Sequence, residues 1–173
     1  LQVGENNVTV THTTSGKTTT VKITAYAKQI KDTDFTFDLS DKTYNAAVQK
    51  PSVTSSLVLN TDYTVAYSNN TNAGTANVTV VGKGNYLGGS GTKTFIINPL
   101  DITGATVGAF GSLTYNGAAQ TPSATVTKGG LTATGIWSAV TNVSDKTSFT
   151  ANGNFTGIIS DKSTGMAKGT PSY

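Results

Sequence analysis

The sequence predicts an all-β or β-rich protein, two small β modules in tandem preceded by a β-hairpin. Three observations predict it. Thr supplies 33 of 173 residues, with 15 Ser and 14 Asn, and a β-branched hydroxyl residue suits an exposed pleated face. Apolar residues alternate in short runs between turns rich in Gly and Asn. Two sequence signatures also recur at a fixed distance, the mark of a repeated unit.

The repeat sets the domain organisation. "TYNAAVQKPS" (43–52) and "TYNGAAQTPS" (114–123) share seven of ten positions, 71 residues apart. "GNYLG" (84–88) and "GNFTG" (153–157) follow in the same order, 69 residues apart. The chain therefore divides into residues 1–34, a hairpin and junction; 35–99, a first repeat; and 100–173, a second, divergent repeat with a C-terminal tail. Such a unit is longer than a solenoid repeat and reads as a small domain.

Strands are legible within the first repeat. "DYTVAY" (62–67) puts Tyr63, Val65 and Tyr67 on one face. "TANVTVVG" (75–82) does the same with Ala76, Val78 and Val80, and "TKTFIINP" (92–99) with Phe95 and Ile97, closed by Pro99. The loops "SNNTNAG" and "GKGNYLGGSG" between them supply Asn and Gly for positive-φ turns. Residues 8–27 read as a hairpin around "SGK", with Val8, Val10, Val21 and Ile23 alternating; this piece matches neither repeat. It is either the last two strands of a preceding module or an edge added to the first repeat. "KQIKDTD" (28–34) reads as a polar junction, "DKSTGMAKGTPSY" (161–173) as a weakly structured tail, and "YNAAVQK" (44–50) as the one short stretch able to turn helically before Pro51.

Composition excludes several classes of function. Charged residues are 12 %, against a usual value of about 25 %. The net charge is +3, but all twelve cations are Lys, scattered singly, with no Arg for bidentate base or phosphate contacts, so no nucleic-acid partner is expected. The absence of Cys removes disulfides, thiolate catalysis and Cys-based zinc sites. No apolar run approaches the roughly 18 residues of a membrane helix, so no membrane insertion is expected.

Motifs that carry chemistry fail on spacing. "GKGNYLG" puts Leu87 where a dinucleotide fingerprint needs its third Gly, and a strand follows instead of a helix. "GKT" (16–18) lacks the first Gly of a P-loop, because position 11 is Thr. "SGTK" (90–93) fits Ser-x-x-Lys, but in a strand the two side chains diverge. His12, the single histidine, lies in a Thr-rich strand and builds no metal cluster alone. Asp32, Asp34, Asp38 and Asp41 are the one local acid cluster; Asp32 and Asp34 could share a calcium ion, though acids solvating a junction explain them more simply. Five Asn-x-Ser/Thr sequons occur, about the number this composition gives by chance. No catalytic residue, cofactor or metal ligand is expected. Trp137, the single tryptophan, is the one candidate for a ligand platform, with its placement in a core the simpler expectation.

The stretch 62–99 resembles the MBG (mostly beta-grasp) repeats of bacterial surface and adhesin-like proteins. Tyr63, Val65, Tyr67, Asn70, Ala73, Gly74, Gly82, Gly84, Asn85, Tyr86, Gly88, Phe95 and Ile97 fall on the pattern. The "TYNG…QTPS" openings extend it, to about 130 of 173 residues. The second repeat departs: it lacks Asn-Ala-Gly and the Phe-x-Ile ending, leaving its last strand missing, replaced by 159–170, or supplied by another chain. The resemblance implies β-grasp-like modules, Ig-like in size, in a secreted or cell-surface bacterial protein. They would serve as stalk, spacer or adhesive element, packed on neighbouring repeats and facing a host or environmental glycan or protein, with no catalytic residue. The alternative is a carbohydrate-binding module that uses Trp137 and tyrosines.

Overall fold

The computed structural model describes residues 1–86 and 90–169. Leu87, Gly88 and Gly89, in the loop of the first Gly-Asn-aromatic signature, and the tail residues 170–173 lie outside the described residues. The fold is all-β, with several small sheets; the helical turns are two 3-10 turns, Asp32–Asp34 and Gly84–Tyr86. The chain forms two compact units: Leu1–Ser40, Lys50–Ser68 and Ala76–Phe95 make one, and Asp41–Gln49, Asn69–Thr75 and Ile96–Tyr173 the other.

In the first copy, Tyr63–Ser68 runs antiparallel to Gly74–Gly82, with Val65 opposite Val80 and Tyr67 opposite Val78. Ser90–Asn98 is the next neighbour, and its end pairs in parallel with Lys42–Thr43. The period-two pattern does what the sequence predicts: Ala76, Val78, Val80, Phe95 and Ile97 are all buried. Val80 and Tyr63 pack with Ile30, and Phe35, Phe37, Val53 and Leu57 pack around them. Ile30 is thus a core residue inside what reads by sequence as a polar junction. Its burial depends on the Lys28 amide, which donates to the Asn85 carbonyl at 2.9 Å and draws the segment against the module.

The second copy rebuilds this framework bond for bond. The Tyr44 amide donates to the Asn98 carbonyl, and the Tyr115 amide to the Ala167 carbonyl. The Leu100 amide donates to Asn154, as Lys28 does to Asn85, and buried Ile102 stands where Ile30 does. The stretch 44–50 forms a side-chain-braced turn rather than a helix. The Gln49 amide group donates to the Thr43 carbonyl and to Asn45 Oδ1; Gln120 repeats both bonds, to Thr114 and Asn116. This turn needs a positive φ, which Ala46 takes at 60° and Gly117 at 77°. The signature is therefore a recipe for one turn.

Between these fixed points the cores differ by compensation. Aligned through the strand pairing, Tyr63, Val65 and Val80 correspond to Gly135, Trp137 and Phe149. Large aromatics replace both valines, and the tyrosine becomes Gly. A Cβ on Gly135 would lie 2.5 Å from the Phe149 ring, so the exchange is obligatory. The last strand of the second copy is not missing. Ile158–Ser163 pairs with Lys146–Ala151, and Ala167 bridges to Thr114. Beyond this strand Thr164 and Met166 occupy the places of Phe95 and Ile97, and both are buried. The tail that looks unstructured by pattern is strand as far as Ser163 and then irregular but packed, with an isolated bridge at Ala167. Its signal is weak because Thr-Gly-Met-Ala lacks the Phe-x-Ile alternation.

The predicted N-terminal hairpin is present, Gly4–Thr11 against Thr18–Ala25, with Val8 opposite Val21. It does match the repeat. "GENNVTV" (4–10) and "GTANVTV" (74–80) share five of seven residues, and each strand opens on a positive-φ Gly, at 109° and 133°. The opposed Thr9 and Thr20 stand where the bonded hydroxyls of Thr79 and Thr92 do. Its first strand thus resembles Gly74–Gly82 in sequence and in its opening turn. The repeat is easy to miss because it lies outside both signatures.

Two changes test this framework. Thr164→Val should stabilise the chain by about 1 kcal/mol in urea unfolding, because the Thr164 hydroxyl is buried without a partner. Ala46→Gly should relieve the left-handed strain and raise stability by a few tenths to about 1 kcal/mol.

Candidate functional site

Trp137 sits at the end of the strand Gly135–Trp137, which lays its side chain into the core of the second unit. Its ring meets Phe110 edge-on at 4.8 Å between centroids and Phe149 at 5.1 Å. Nε1 donates to the Ala124 carbonyl at 3.1 Å. Only 8 % of the residue is exposed, so no ring face is open to a sugar. The residue is a core anchor, and the platform considered from the sequence is not formed at this position. The physical reason is the Gly135 exchange, which makes room for an aromatic pair.

The other candidates are not drawn together either. Asp32 forms an ion pair with Lys93, and Asp34 Oδ2 accepts the Lys31 amide at 2.8 Å, bracing a 3-10 turn. Each carboxylate of the pair considered for calcium thus has a local partner. Asp38 accepts from Ser40, and Asp41 from Asn98. Among the described residues no group of three or more metal-binding side chains converges. His12 closes the hairpin turn: its Nδ1 lies 2.9 Å from Ser15 Oγ and accepts the Ser15 amide at 3.2 Å. This Ser15–His12 contact is local to an exposed turn. Gly84 has φ 61° and begins the second 3-10 turn, as turn chemistry requires.

What the structure does assemble is a joint between the copies, inside the second unit. The loop 69–75 of the first copy encloses a polar concavity of about 370 Å³. Across from it stands Asn154 of the second copy's Gly-Asn-Phe turn. Asn154 Oδ1 accepts the Ala73 amide at 2.7 Å, and its Nδ2 donates to Asn72 Oδ1 at 3.1 Å. The next residue, Phe155, is buried and meets Tyr44 of the first copy edge-on at 5.5 Å. Phe155–Thr156 also pairs in parallel with Leu100–Asp101, at the start of the second copy itself. One amide and one aromatic pair thus hold the first copy's loop and turn on the second copy. Sequence reasoning recognises Tyr44, Asn154 and Phe155 as parts of repeat signatures, Tyr44 in a stretch able to turn helically and the other two in a Gly-Asn-aromatic turn. It misses that they meet.

Two carboxylates pin loops of the second unit. Asp145 accepts the amides of Asn142 and Thr141 at 2.7 and 2.8 Å, and Asp101 accepts the amide and hydroxyl of Thr103. Backbone hydrogen bonds, first from Asn142 and then from Thr141, hold the Asp145 carboxyl below its ordinary value of 3.8.

Comparison of the chain with protein-family models, curated proteins and solved structures finds no match.

Two outcomes follow. A folded-state value below the unfolded one makes the Asp145 contribution complete above about pH 4 and lost as pH falls through the depressed value. Asp145→Asn should therefore flatten the acid limb of a stability-against-pH curve in that window. Trp137 fluorescence should be blue-shifted and insensitive to added oligosaccharide, and Trp137→Ala should cost about 3–5 kcal/mol in denaturant unfolding.

Proposed function

We propose that the chain is a non-catalytic repeat module of a secreted or cell-surface bacterial protein, acting as a stalk or spacer. The joint carries this reading. A spacer has to fix one module on the next. Here Asn154 and Phe155 of the second copy hold Ala73 and Tyr44 of the first. The residues shared by the two copies support it as well: Asn45 and Gln49, like Asn116 and Gln120, brace turns, and the aromatic of the Gly-Asn-aromatic turn enters the joint in the second copy. Shared residues of this kind maintain an architecture; shared active sites would keep nucleophiles, bases or ligands. The low charge and Thr-rich faces fit an exposed extracellular chain, and the resemblance to MBG repeats points the same way.

Single-molecule stretching of the full chain between its ends tests the proposal. Two resisted unfolding events are expected, each releasing on the order of 24 nm. Tyr44→Ala with Asn154→Ala should lower the force of at least one event while circular dichroism stays β-rich. Extension without a resisted step would overturn the spacer reading. A specific ligand in a glycan and matrix-protein screen would move the reading to the adhesive class.

A further inference from the structure

The N-terminal hairpin carries an exposed apolar face. In the first copy the equivalent hairpin, Gly74–Gly82 with Ser90–Asn98, is covered on its inner face and on both edges. Tyr63–Ser68 lies along the outer edge of Gly74–Gly82, and Lys42–Thr43 takes the far edge at Ile97 and Asn98. Val78, Val80, Phe95 and Ile97 are at most 2 % exposed. In the hairpin Gly4–Ala25 the corresponding strands form a sheet of two, with both edges unpaired among the described residues. On the face that corresponds to the buried one, Val10 is 51 % exposed, Val21 45 % and Ile23 39 %. A two-stranded sheet with one apolar face and two free edges is marginal by itself and invites strand addition.

We propose that this hairpin is completed by the first half of a further module of the same kind, of the type Lys28–Asn72, joined to it through the Gln2–Val3 side. Three observations identify that occupant. The hairpin repeats the sequence of the strand that receives Tyr63–Ser68, including its opening positive-φ Gly. By that alignment Gln2 and Val3 stand where Asn72 and Ala73 do, and they already line one cavity with Gly84 and Asn85, the counterparts of Gly153 and Asn154 at the joint. The remaining half of that joint is an aromatic on Tyr86, as Tyr44 sits on Phe155, and only the first half of a module carries a residue in the Tyr44 place. A second hairpin docked face to face is the poorer fit. Eight residues per strand offer a few hundred Å² a side, against the ~800 Å² that stable partners bury. The register is specified: a Val opposite Val10 and Tyr residues opposite Val8 and His12, as Val65, Tyr67 and Tyr63 stand opposite Val80, Val78 and Gly82. Val21 takes the place of Lys93, so the occupant carries an uncharged residue where the first copy has Asp32. The inference depends on the repeat and not on the surface role.

The test adds the occupant to the full chain. Residues 28–72, carrying Asp32→Ala, are placed directly ahead of Val3, which recreates the Asn72–Ala73 junction. Hydrogen exchange at Gly4–Thr11 and Thr18–Ala25 should slow at least 100-fold relative to the parent chain. Tyr63→Lys with Val65→Lys in the added segment should abolish that protection while the rest of the spectrum is kept. Unchanged hairpin exchange in the extended chain, with the remaining modules native, would overturn the proposal. So would a parent chain that sediments as a dimer with its hairpin amides already protected, since the occupant would then be a second copy.

Discussion

Backbone hydrogen bonding at the turns is the constraint on which the rest of this structure depends. Each module is built from short strands around a small core, and much of its chain lies outside the ladders. Carbonyls and amides there need partners, and side-chain amides provide them: Gln49 and Gln120 to Thr43 and Thr114, Asn70 to Gln49, Asn154 to Ala73. Carboxylates do the same work at Asp62, Asp101 and Asp145. Asn, with a few well-placed Gln and Asp, is thus the means by which a chain with few charges fixes its loops.

A framework fixed in this way leaves the core free to vary by compensation. Trp137 and Phe149 fill the space that Tyr63 fills in the other copy, at the cost of a glycine at position 135. Packing density is held while the residues change, which is how two modules sharing little of their core keep one strand order. The exchange also settles the place of the single tryptophan: its edge-on and tilted contacts with Phe110 and Phe149 stabilise the second unit.

The same turn has two uses. Gly84 and Gly153, at φ 61° and 63°, each start a Gly-Asn-aromatic turn. In the second copy that turn is half of the joint, reading the loop and Tyr44 of the first. In the first copy it faces Gln2 and Val3. A heterologous contact of this type, made by one surface on a different surface of its neighbour, extends along a chain instead of closing on itself.

The sequence by itself determined the β class, the strands with strict alternation, the hairpin and the two signature turns, because each rests on neighbours within a few residues. Tyr63, Val78, Val80, Phe95 and Ile97 are buried as their period requires. Only the tertiary structure decided which residues meet across the repeat. Ile30 enters the core because a distant carbonyl at Asn85 receives Lys28, and Thr164 and Met166 are buried beside the bridge between Thr114 and Ala167. Tyr44 and Asn154 make a joint from residues that local reading keeps in separate signatures. These outcomes depend on partners roughly 50 to 110 residues away, a distance at which alternation and turn propensity carry no information.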